Sequence, residues 1–313
     1  MHMDVVTVFG GSGFIGRYAV QKIARTGARV RVAVRRPENA SFLKPMGNVG
    51  QIVPIHANIR DNNAVLAAIK GADTVINLVG ILFPRREQTF ENVQVVGAER
   101  IASLSANAGV KRLIHVSAIG ANGYSNSEYA STKGNGEEKV RKEFPGATIL
   151  KPSLVFGRED NFFNQFASIA RIAPALPLIG GGNTKFQPIY VGDVASTITR
   201  AALNIKTKGK TFELGGPSIY NFKTLMQMIL TNIDRRRILV PVPFPIANVG
   251  AALLERLPFN IITRDQVRLL EQDNVVTGDF PSLNDLGIKP TALEAILPTY
   301  LRSYRRGVWQ SRQ

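Results

Sequence analysis

The feature that most constrains this 313-residue chain is a glycine-rich turn close to its amino terminus. The apolar run Val5–Phe9 leads directly into the sequence Gly-Gly-Ser-Gly-Phe-Ile-Gly at 10–16, and a helical pattern follows. Three glycines at this spacing let the backbone turn sharply after a buried strand and bring a helix N-terminus close to a pyrophosphate. A surface turn without a ligand would account for only one or two of them. The predicted nucleotide contacts are Gly10, Ser12, Gly13, Phe14, Ile15 and Gly16.

Short runs rich in valine and isoleucine alternate with helical patterns through the first half of the chain. The predicted strands are residues 4–9, 29–34, 51–56, 73–79, 112–117 and 147–151, and the predicted helices are residues 14–26, 61–70, 86–108 and 128–143. Apolar strands separated by helical crossovers are typical of a parallel sheet covered on both faces. We therefore expect an α/β protein with a doubly wound, parallel-sheet Rossmann domain over residues 1–157. Residues 158–313 are expected to form a smaller, mostly helical lobe, with segments that partly return to the first domain.

The composition excludes several kinds of site. The chain has no cysteine, so it forms no disulfide and carries no thiolate nucleophile or cysteine metal site. Its three histidines, His2, His56 and His115, are isolated from one another in the sequence. We therefore predict no metal site, and we interpret His56 and His115 as structural histidines at strand ends.

The formal net charge of +16 is spread over both halves of the chain. A basic surface suits an acidic partner protein or an anionic membrane, and simple solvated charge is the alternative. The sequence shows no RNA-binding signature with interleaved aromatic residues, so nucleic acid is not an expected partner. It also has no uninterrupted run of about 18 apolar residues, so no membrane-spanning helix is expected.

The first predicted strand begins near residue 4, so we expect no targeting peptide. The predicted location is the bacterial cytoplasm, including the inner face of the cytoplasmic membrane. For a processed eukaryotic protein it is the matrix side of the mitochondrial membrane.

Two later segments combine arginines with apolar residues. Arginines at 235–237 precede an uncharged stretch at 238–254, in which three prolines confine any helix to about residues 245–257. A short apolar helix beside arginines suits a membrane surface, and an ordinary buried helix is the alternative. The segment 300–309 pairs aromatic residues with arginines, and it either extends the same surface or forms a cationic tail.

The end of the second predicted strand indicates which nucleotide is bound. Arg35 and Arg36 occupy the place where an acidic residue would bind the ribose hydroxyls of NAD. A guanidinium group matches a 2′-phosphate, which a carboxylate would repel, so we predict NADP(H) in preference to NAD(H). One or both arginines face the ligand. Further predicted contacts follow the third and fourth strands, namely Asn58, Ile59, Leu78, Val79 and Gly80.

Tyr129 and Lys133 lie four residues apart, on one face of a predicted helix. A neighbouring lysine and a nicotinamide charge lower the pKa of a tyrosine, which then serves as an acid/base in hydride transfer. Together with the glycine turn, this pair makes the chain resemble the extended or atypical short-chain dehydrogenases/reductases, over essentially its whole length. The sequences at 151–157 and 188–195 belong to the same resemblance.

The resemblance assigns further roles. It implies that Tyr129 and Lys133 are both catalytic residues and cofactor contacts, and that Asp193 is a helix N-cap rather than a catalytic acid. It also places cofactor contacts after the fifth and sixth strands, at Val116, Ser117, Pro152, Leu154 and Val155.

One part of that family's active site is missing. The usual catalytic serine or threonine follows the fifth strand, where this chain has Ala118 and Ile119. Ser117 could replace it only if the turn were displaced, while Ser125 and Ser127 are closer to Tyr129 in sequence. A missing hydroxyl removes an oxyanion-type stabilisation of several kcal/mol. The sequence therefore favours cofactor binding over catalysis.

Motifs in the second half narrow the resemblance. The sequences at 151–153, 156–162, 240–245 and 262–267 are similar to those of the NADPH-binding accessory subunits of respiratory complex I and their bacterial homologues. The resemblance implies a tightly held NADPH without turnover, near the quinone site where the peripheral arm meets the membrane. The implied partners are complex I subunits or quinone-pathway proteins.

Two other functions stay open. One is an active NAD(P)-dependent reductase or epimerase that uses Tyr129 and Lys133 on a lipid-like or quinone-related carbonyl. The other is a regulator that senses NADP and binds a further protein according to redox state.

Overall fold

The computed structural model describes residues 4–255 and 262–305, and the chain divides into two compact units. The first unit contains the chain up to Pro152 together with Val191–Leu214 and Thr277–Lys289. The second contains Ser153–Tyr190, Gly215–Val276 and the chain from Pro290 onward. The chain thus leaves the first unit after residue 152, a few residues before the predicted boundary at 157, and re-enters it twice.

The first unit is built on a parallel sheet of seven strands. Numbered along the whole chain, these are β1 (Val5–Phe9), β2 (Arg29–Val34), β3 (Ile52–His56), β4 (Thr74–Asn77), β5 (Arg112–Val116), β6 (Thr148–Pro152) and β11 (Thr211–Leu214). Their order is β3-β2-β1-β4-β5-β6-β11, and every neighbouring pair is parallel. The predicted doubly wound Rossmann architecture is confirmed. The strand order reverses between β1 and β4, where folds of this type bind ligands.

Helices cover this sheet because its strands are apolar on both faces: β1 and β5 are almost completely buried. The helices are α1 (Phe14–Ala24), α2 (Asn62–Ile69), α3 (Val96–Asn107), α4 (Glu128–Glu143) and α6 (Val191–Leu203). Helix α1 packs against α6, whereas α3 packs against α2 and α4. A single π-helical turn, Glu91–Val95, precedes α3, and a 3₁₀ segment, Pro37–Met46, follows β2.

One detail of the sequence analysis was wrong. Helix α6 begins at Val191 rather than near residue 194, so Asp193 lies inside the first turn and is not the N-cap. A carboxylate in the first turn still interacts favourably with the positive end of the helix dipole.

The second unit has five helices and three two-stranded sheets among its described residues. The helices are α5 (Phe162–Ile172), α7 (Phe222–Asn232), α8 (Phe244–Leu254), α9 (Arg264–Leu269) and α10 (Leu293–Leu301). The strands are β7 (Val155–Phe156), β8 (Ala175–Ile179), β9 (Lys185–Phe186), β10 (Ile189–Tyr190), β12 (Tyr220–Asn221) and β13 (Ile238–Val242), paired β10 with β7, β12 with β9 and β13 with β8. Its core is rich in aromatic rings, with Phe156, Phe163 and Phe222 fully buried.

A helix was predicted at about residues 245–257, and α8 is the helix observed there. Residues 256 and 257 lie outside the described residues. Helix α8 buries Ala247 and Ala251 but exposes Ile246, Val249 and Leu253 by 63%, 66% and 61%. It therefore has one buried face and one exposed apolar face. No helix in the described part of the chain is both long enough and apolar enough to span a membrane.

Candidate nucleotide site

The turn between β1 and α1 lies against the end of β4. Gly10 has a φ of +75°, and its backbone N–H donates to the Ala33 carbonyl at the end of β2. A Cβ at Gly10 would lie 3.2 Å from the backbone nitrogen of Val79, so the turn and the chain after β4 approach each other closely. Glycine is needed here for both its backbone conformation and its size.

Gly16 brings α1 close to the same turn. A Cβ at Gly16 would lie 2.6 Å from backbone atoms of Gly11 and still closer to the Gly10 carbonyl oxygen. Helix α1 is capped at its N-terminus by Gly13, which supplies no side-chain hydrogen bond. The first N–H groups of α1 therefore face the turn without a side-chain cap, which suits an anion. Ser12, Phe14 and Ile15 are half-buried around this turn.

Arg35 and Arg36 leave the sheet directly after β2, and both side chains are exposed. Neither side chain makes an ion pair or hydrogen bond with another described residue. Strand β2 pairs in parallel with β1 from Arg29 to Ala33, so its carboxyl end lies at the same sheet edge as the glycine turn. Two guanidinium groups without ion pairs among the described residues thus follow the strand that lies beside the turn.

Asparagine side chains accept hydrogen bonds from the backbone where the chain leaves β3 and β4. Asn58 accepts a hydrogen bond from the Arg60 backbone N–H at 3.1 Å, which turns the chain after β3. Ile59, a predicted contact, lies in the hydrophobic core of the first unit, where it packs beside Gly97. After β4, the Asn77 carboxamide oxygen accepts from the Val79 N–H at 3.0 Å.

Gly80 connects the glycine turn with the tyrosine–lysine pair. A Cβ at Gly80 would lie 3.2 Å from the Lys133 ammonium nitrogen, so Lys133 reaches the end of β4. Lys133 is buried, and its Nζ donates to the Val116 carbonyl at the end of β5 at 3.2 Å. The predicted residues Leu78, Val79, Gly80, Val116 and Lys133 therefore meet at one edge of the sheet.

Tyr129 lies in the first turn of α4 and packs edge-on against Phe90, with ring centroids 6.1 Å apart. Burial raises the pKa of Tyr129 to about 12 and lowers the pKa of Lys133 to about 8, although the Glu137 carboxylate opposes the latter shift. In the protein by itself, Lys133 does not produce the predicted lowering of the pKa of Tyr129. Desolvation, which disfavours the phenolate, dominates here.

Three serines and one histidine lie around this pair. The Ser127 hydroxyl caps α4 by accepting from the Ala130 N–H at 3.3 Å, and the Ser125 hydroxyl accepts from the Ser127 N–H at 3.2 Å. These two hydroxyls thus accept hydrogen bonds from backbone N–H groups at the start of α4. Ser117 is 4% exposed, and its Oγ has no hydrogen-bond partner among the described residues. His115 is buried beside Asn77, and burial lowers its pKa to about 3, so it is a neutral structural histidine.

The three remaining predicted contacts follow β6. Pro152 ends this strand in the first unit and is buried, and its carbonyl accepts from the Ile119 N–H at 3.0 Å. Leu154 and Val155 belong to the second unit, where both are half-buried. No group of three potential metal-ligating side chains occurs in the described residues.

Sequence reasoning missed several residues around this site. Phe90, which packs on Tyr129, precedes a π-helical turn that has no sequence signature. Asn77 lies within the predicted strand 73–79 and is not among the predicted contacts, although its side chain bonds to Val79 and His115. Glu137 was not singled out, although its position four residues after Lys133 could have signalled a carboxylate on the same helical face.

Comparison with known proteins gives a consistent result for the whole chain. The model of a family described as "NAD dependent epimerase/dehydratase family" matches residues 6–215. The Arabidopsis thaliana protein "NADH dehydrogenase [ubiquinone] 1 alpha subcomplex subunit 9, mitochondrial" is 37% identical, over 97% of this chain and 78% of its own length. The rat protein of the same name is 37% identical, over 98% of this chain and 82% of its own length.

The fold is also similar to that of solved structures. The crystal structure of DesIV, a dTDP-glucose 4,6-dehydratase from Streptomyces venezuelae with NAD and TYD bound, superimposes with a TM-score of 0.75 at 18% identity. The alignment covers 97% of each chain. At this identity the likeness concerns the fold alone.

Proposed function

This chain belongs to the NAD dependent epimerase/dehydratase family, with relatives among the alpha subcomplex subunit 9 proteins of NADH dehydrogenase, and from that premise we propose that it is an NADP(H)-binding accessory protein with little or no turnover. The observation that carries the proposal is the pair Arg35 and Arg36, exposed and without ion pairs among the described residues, after β2. A guanidinium group binds a phosphate through two parallel hydrogen bonds, so this position favours a 2′-phosphate.

The side chains present fit such a nucleotide. The turn at Gly10 and Gly16 has no room for a Cβ and offers uncapped helix N–H groups to a pyrophosphate. Lys133 reaches the end of β4 beside Gly80, where its ammonium group can donate to ribose hydroxyls. The Ser117 hydroxyl is buried and unpartnered among the described residues, so it has a donor and acceptor to offer. When bound, a nicotinamide nucleotide supplies hydride-transfer chemistry.

The proposed absence of turnover is supported by what surrounds Tyr129. Ala118 and Ile119 occupy the positions at which the family's usual hydroxyl would polarise a substrate carbonyl. Burial raises the pKa of Tyr129 to about 12, which disfavours its phenolate. These features favour a cofactor that is held rather than consumed.

The same relatives are the basis for the partners that we propose. The proposed partners are respiratory complex I subunits or quinone-pathway proteins, at the inner face of the bacterial membrane or the matrix side in mitochondria. An anionic membrane surface is a further proposed partner of the exposed apolar face of α8. The predicted extension of that surface over residues 300–309 lies partly outside the described residues, which end at residue 305.

Nucleotide identity tests the cofactor assignment. We expect mass spectrometry of the purified protein to detect NADP(H), and the double variant Arg35→Ala/Arg36→Ala to bind NADPH at least about 10-fold more weakly, as for the loss of one charged hydrogen bond. NADH binding should change much less. The matched control is Arg25→Ala/Arg29→Ala, which removes the same charge near the opposite end of β2, where Arg25 and Arg29 are exposed. Equal losses for NADPH and NADH would contradict the assignment.

The alternative is an active reductase or epimerase, and the placement of Tyr129 and Lys133 on one face of α4 favours it. In that case Tyr129 is the acid/base, and Lys133 binds the ribose and lowers the tyrosine pKa once a nicotinamide charge is present. NADPH oxidation should then occur with a lipid-like or quinone-related carbonyl and disappear in Tyr129→Phe. Under the accessory function, the variant retains its nucleotide and no turnover is seen in either protein.

A further inference from the structure

Helix α4 carries a second charged residue on the face that holds Lys133. Lys133, Glu137 and Arg141 follow one another at intervals of four residues, so they form one stripe along the helix. Glu137 is only 7% exposed. A buried carboxylate is costly unless positive charges or hydrogen bonds compensate it, so its surroundings need an explanation.

Two cations besides Lys133 compensate Glu137, at distances longer than those of tight hydrogen bonds. Its Oε1 lies 3.6 Å from the Lys151 Nζ, and its Oε2 lies 3.5 Å from an Arg141 guanidinium nitrogen. Oε1 has no hydrogen-bond partner among the described residues. Glu137 is thus stabilised mainly by electrostatic attraction to these cations.

Lys151 and Arg141 also make contacts with groups other than Glu137. Lys151 donates to the Ala121 carbonyl at 3.4 Å, in the turn after β5, and its Nζ lies 5.8 Å from the centre of the Phe280 ring. Arg141 donates to the Thr211 hydroxyl at 2.8 Å. Glu137 therefore pairs with Lys151, which supports the turn that lacks the usual hydroxyl, and lies one helical turn from Lys133, which reaches the end of β4.

We infer that Glu137 is a positioning residue of the nucleotide site: its carboxylate is the anion shared by Lys133, one helical turn before it on α4, and by Lys151, which it anchors beneath the turn after β5. The inference rests on the proposed NADP(H)-binding function. It predicts that the pH range over which the protein binds NADPH is set by Glu137, a residue that does not itself touch the nucleotide.

The balance of charges around Lys133 gives the direction of the effect. The titratable and charged groups around Lys133 and Glu137 are Tyr129 and Arg141 on α4, His115 on β5 and Lys151 on β6. His115 is neutral, and Arg141 and Lys151 are cations, so Glu137 is the anion that opposes the effect of burial on the pKa of Lys133. On the side of α4 that faces α3, Lys139 and Glu99 form their own ion pair at 3.0 Å. Removing Glu137 therefore favours the neutral amine of Lys133.

The test compares Glu137→Gln with Glu138→Gln, because Glu138 is the exposed neighbour on the same helix and the chemical change is identical. The Kd for NADPH is measured between pH 6 and 10, and the Lys133 ¹³Cε resonance is titrated without nucleotide in [¹³C]lysine-labelled protein. Lys133→Arg assigns that resonance. In Glu137→Gln both midpoints should move to lower pH by about 1 unit or more, as for loss of an opposite charge within a few ångströms. Glu138→Gln should behave as the wild-type protein does.

Lys151→Met is the second variant, and it covers the case in which Glu137→Gln does not fold. It removes a positive charge and leaves Glu137 in place, so the Lys133 midpoint should move to higher pH. A general loss of structure would not shift the midpoint in opposite directions in the two variants. Unchanged Lys133 midpoints in the folded variants would overturn the inference. Failure of the wild-type protein to bind NADPH at pH 6.5 would instead contradict the proposed function, while the resonance titration still decides the role of Glu137.

Discussion

At the scale of single residues, the candidate site depends on side chains that are absent as much as on those present. Gly16 leaves α1 free to approach the turn, and Gly80 leaves room for the Lys133 ammonium group. Ala118 and Ile119 occupy the turn in which a catalytic hydroxyl was expected. The first two absences let α1 approach the glycine turn and let Lys133 approach the end of β4, and the third supports the proposal of little or no turnover.

Replacing Gly16 by alanine should therefore abolish nucleotide binding and destabilise the fold. The new Cβ would lie within 2.6 Å of Gly11 backbone atoms, so α1 would have to move. We expect the free energy of unfolding to fall by about 1–3 kcal/mol, as for overpacking in a core. Urea denaturation and NADPH titration measure the two effects.

Gly250→Ala is the control for this prediction, because nothing lies within 4 Å of a Cβ there and the residue is inside α8. Alanine has the higher helix propensity, by about 1 kcal/mol. The control should therefore be neutral or stabilising. A Gly16→Ala protein with wild-type stability and affinity would show that the close approach of α1 is not required.

At the scale of elements, two tyrosines attach α10 and the residues directly after it to the start of α5. Tyr300 donates to Asp160 at 2.5 Å, and Tyr304, which follows α10, donates to Asn164 at 2.9 Å. Asp160 also accepts from the Phe163 and Asn164 N–H groups, so one buried carboxylate caps α5 and binds α10. Burial raises the pKa of Asp160, and these hydrogen bonds oppose that shift.

Removal of the Tyr300 hydroxyl should weaken this attachment more than removal of the Tyr304 hydroxyl. The first hydrogen bond is made to a buried carboxyl group and the second to a neutral amide, so Tyr300→Phe should lower the free energy of unfolding by about 1.5–3 kcal/mol and Tyr304→Phe by about 0.5–1.5 kcal/mol. Thermal and urea unfolding of the two variants provide the measurement. The reverse order of stabilities would show that Asp160 does not depend on Tyr300.

At the scale of the whole molecule, a net charge of +16 accompanies an exposed apolar helix face. The sequence left open whether the segment after the arginines is a buried helix or a surface element. Helix α8 has a buried face and an exposed one, and Arg236, which precedes β13, is exposed. This arrangement resembles that of helices that lie in the headgroup region of an anionic bilayer.

The protein should therefore sediment with vesicles that contain anionic lipid and not with vesicles of neutral lipid. Surface electrostatics are screened by salt, so binding should weaken strongly between low ionic strength and about 1 M salt. The variant Ile246→Ser/Val249→Ser/Leu253→Ser should lose binding, because it removes the exposed apolar face and leaves Ala247 and Ala251 unchanged. If this variant binds as the wild-type protein does, α8 is not the contact.

Local patterns determined most of the first unit and part of its site. Strands β1–β6, the glycine turn, the position of Arg35 and Arg36 after β2, and the placement of Tyr129 and Lys133 on one helix were predicted because each depends on neighbours in sequence: a buried strand is apolar, a tight turn needs glycine, and residues four apart share a helix face. Strand β11 was not predicted, since four residues that complete a sheet edge carry too little periodicity of their own.

Tertiary structure alone decided how the chain returns to its sheet and which groups meet in the site. The contact of Gly80 with Lys133, the ion pair of Glu137 with Lys151, and the hydrogen bond from Tyr300 to Asp160, 140 residues apart, join elements that are remote in sequence. Burial, which sets the pKa values of Tyr129, Lys133 and His115, likewise depends on the elements packed around each side chain. A sequence specifies which groups are available, but their desolvation and mutual distances exist only once the chain has folded.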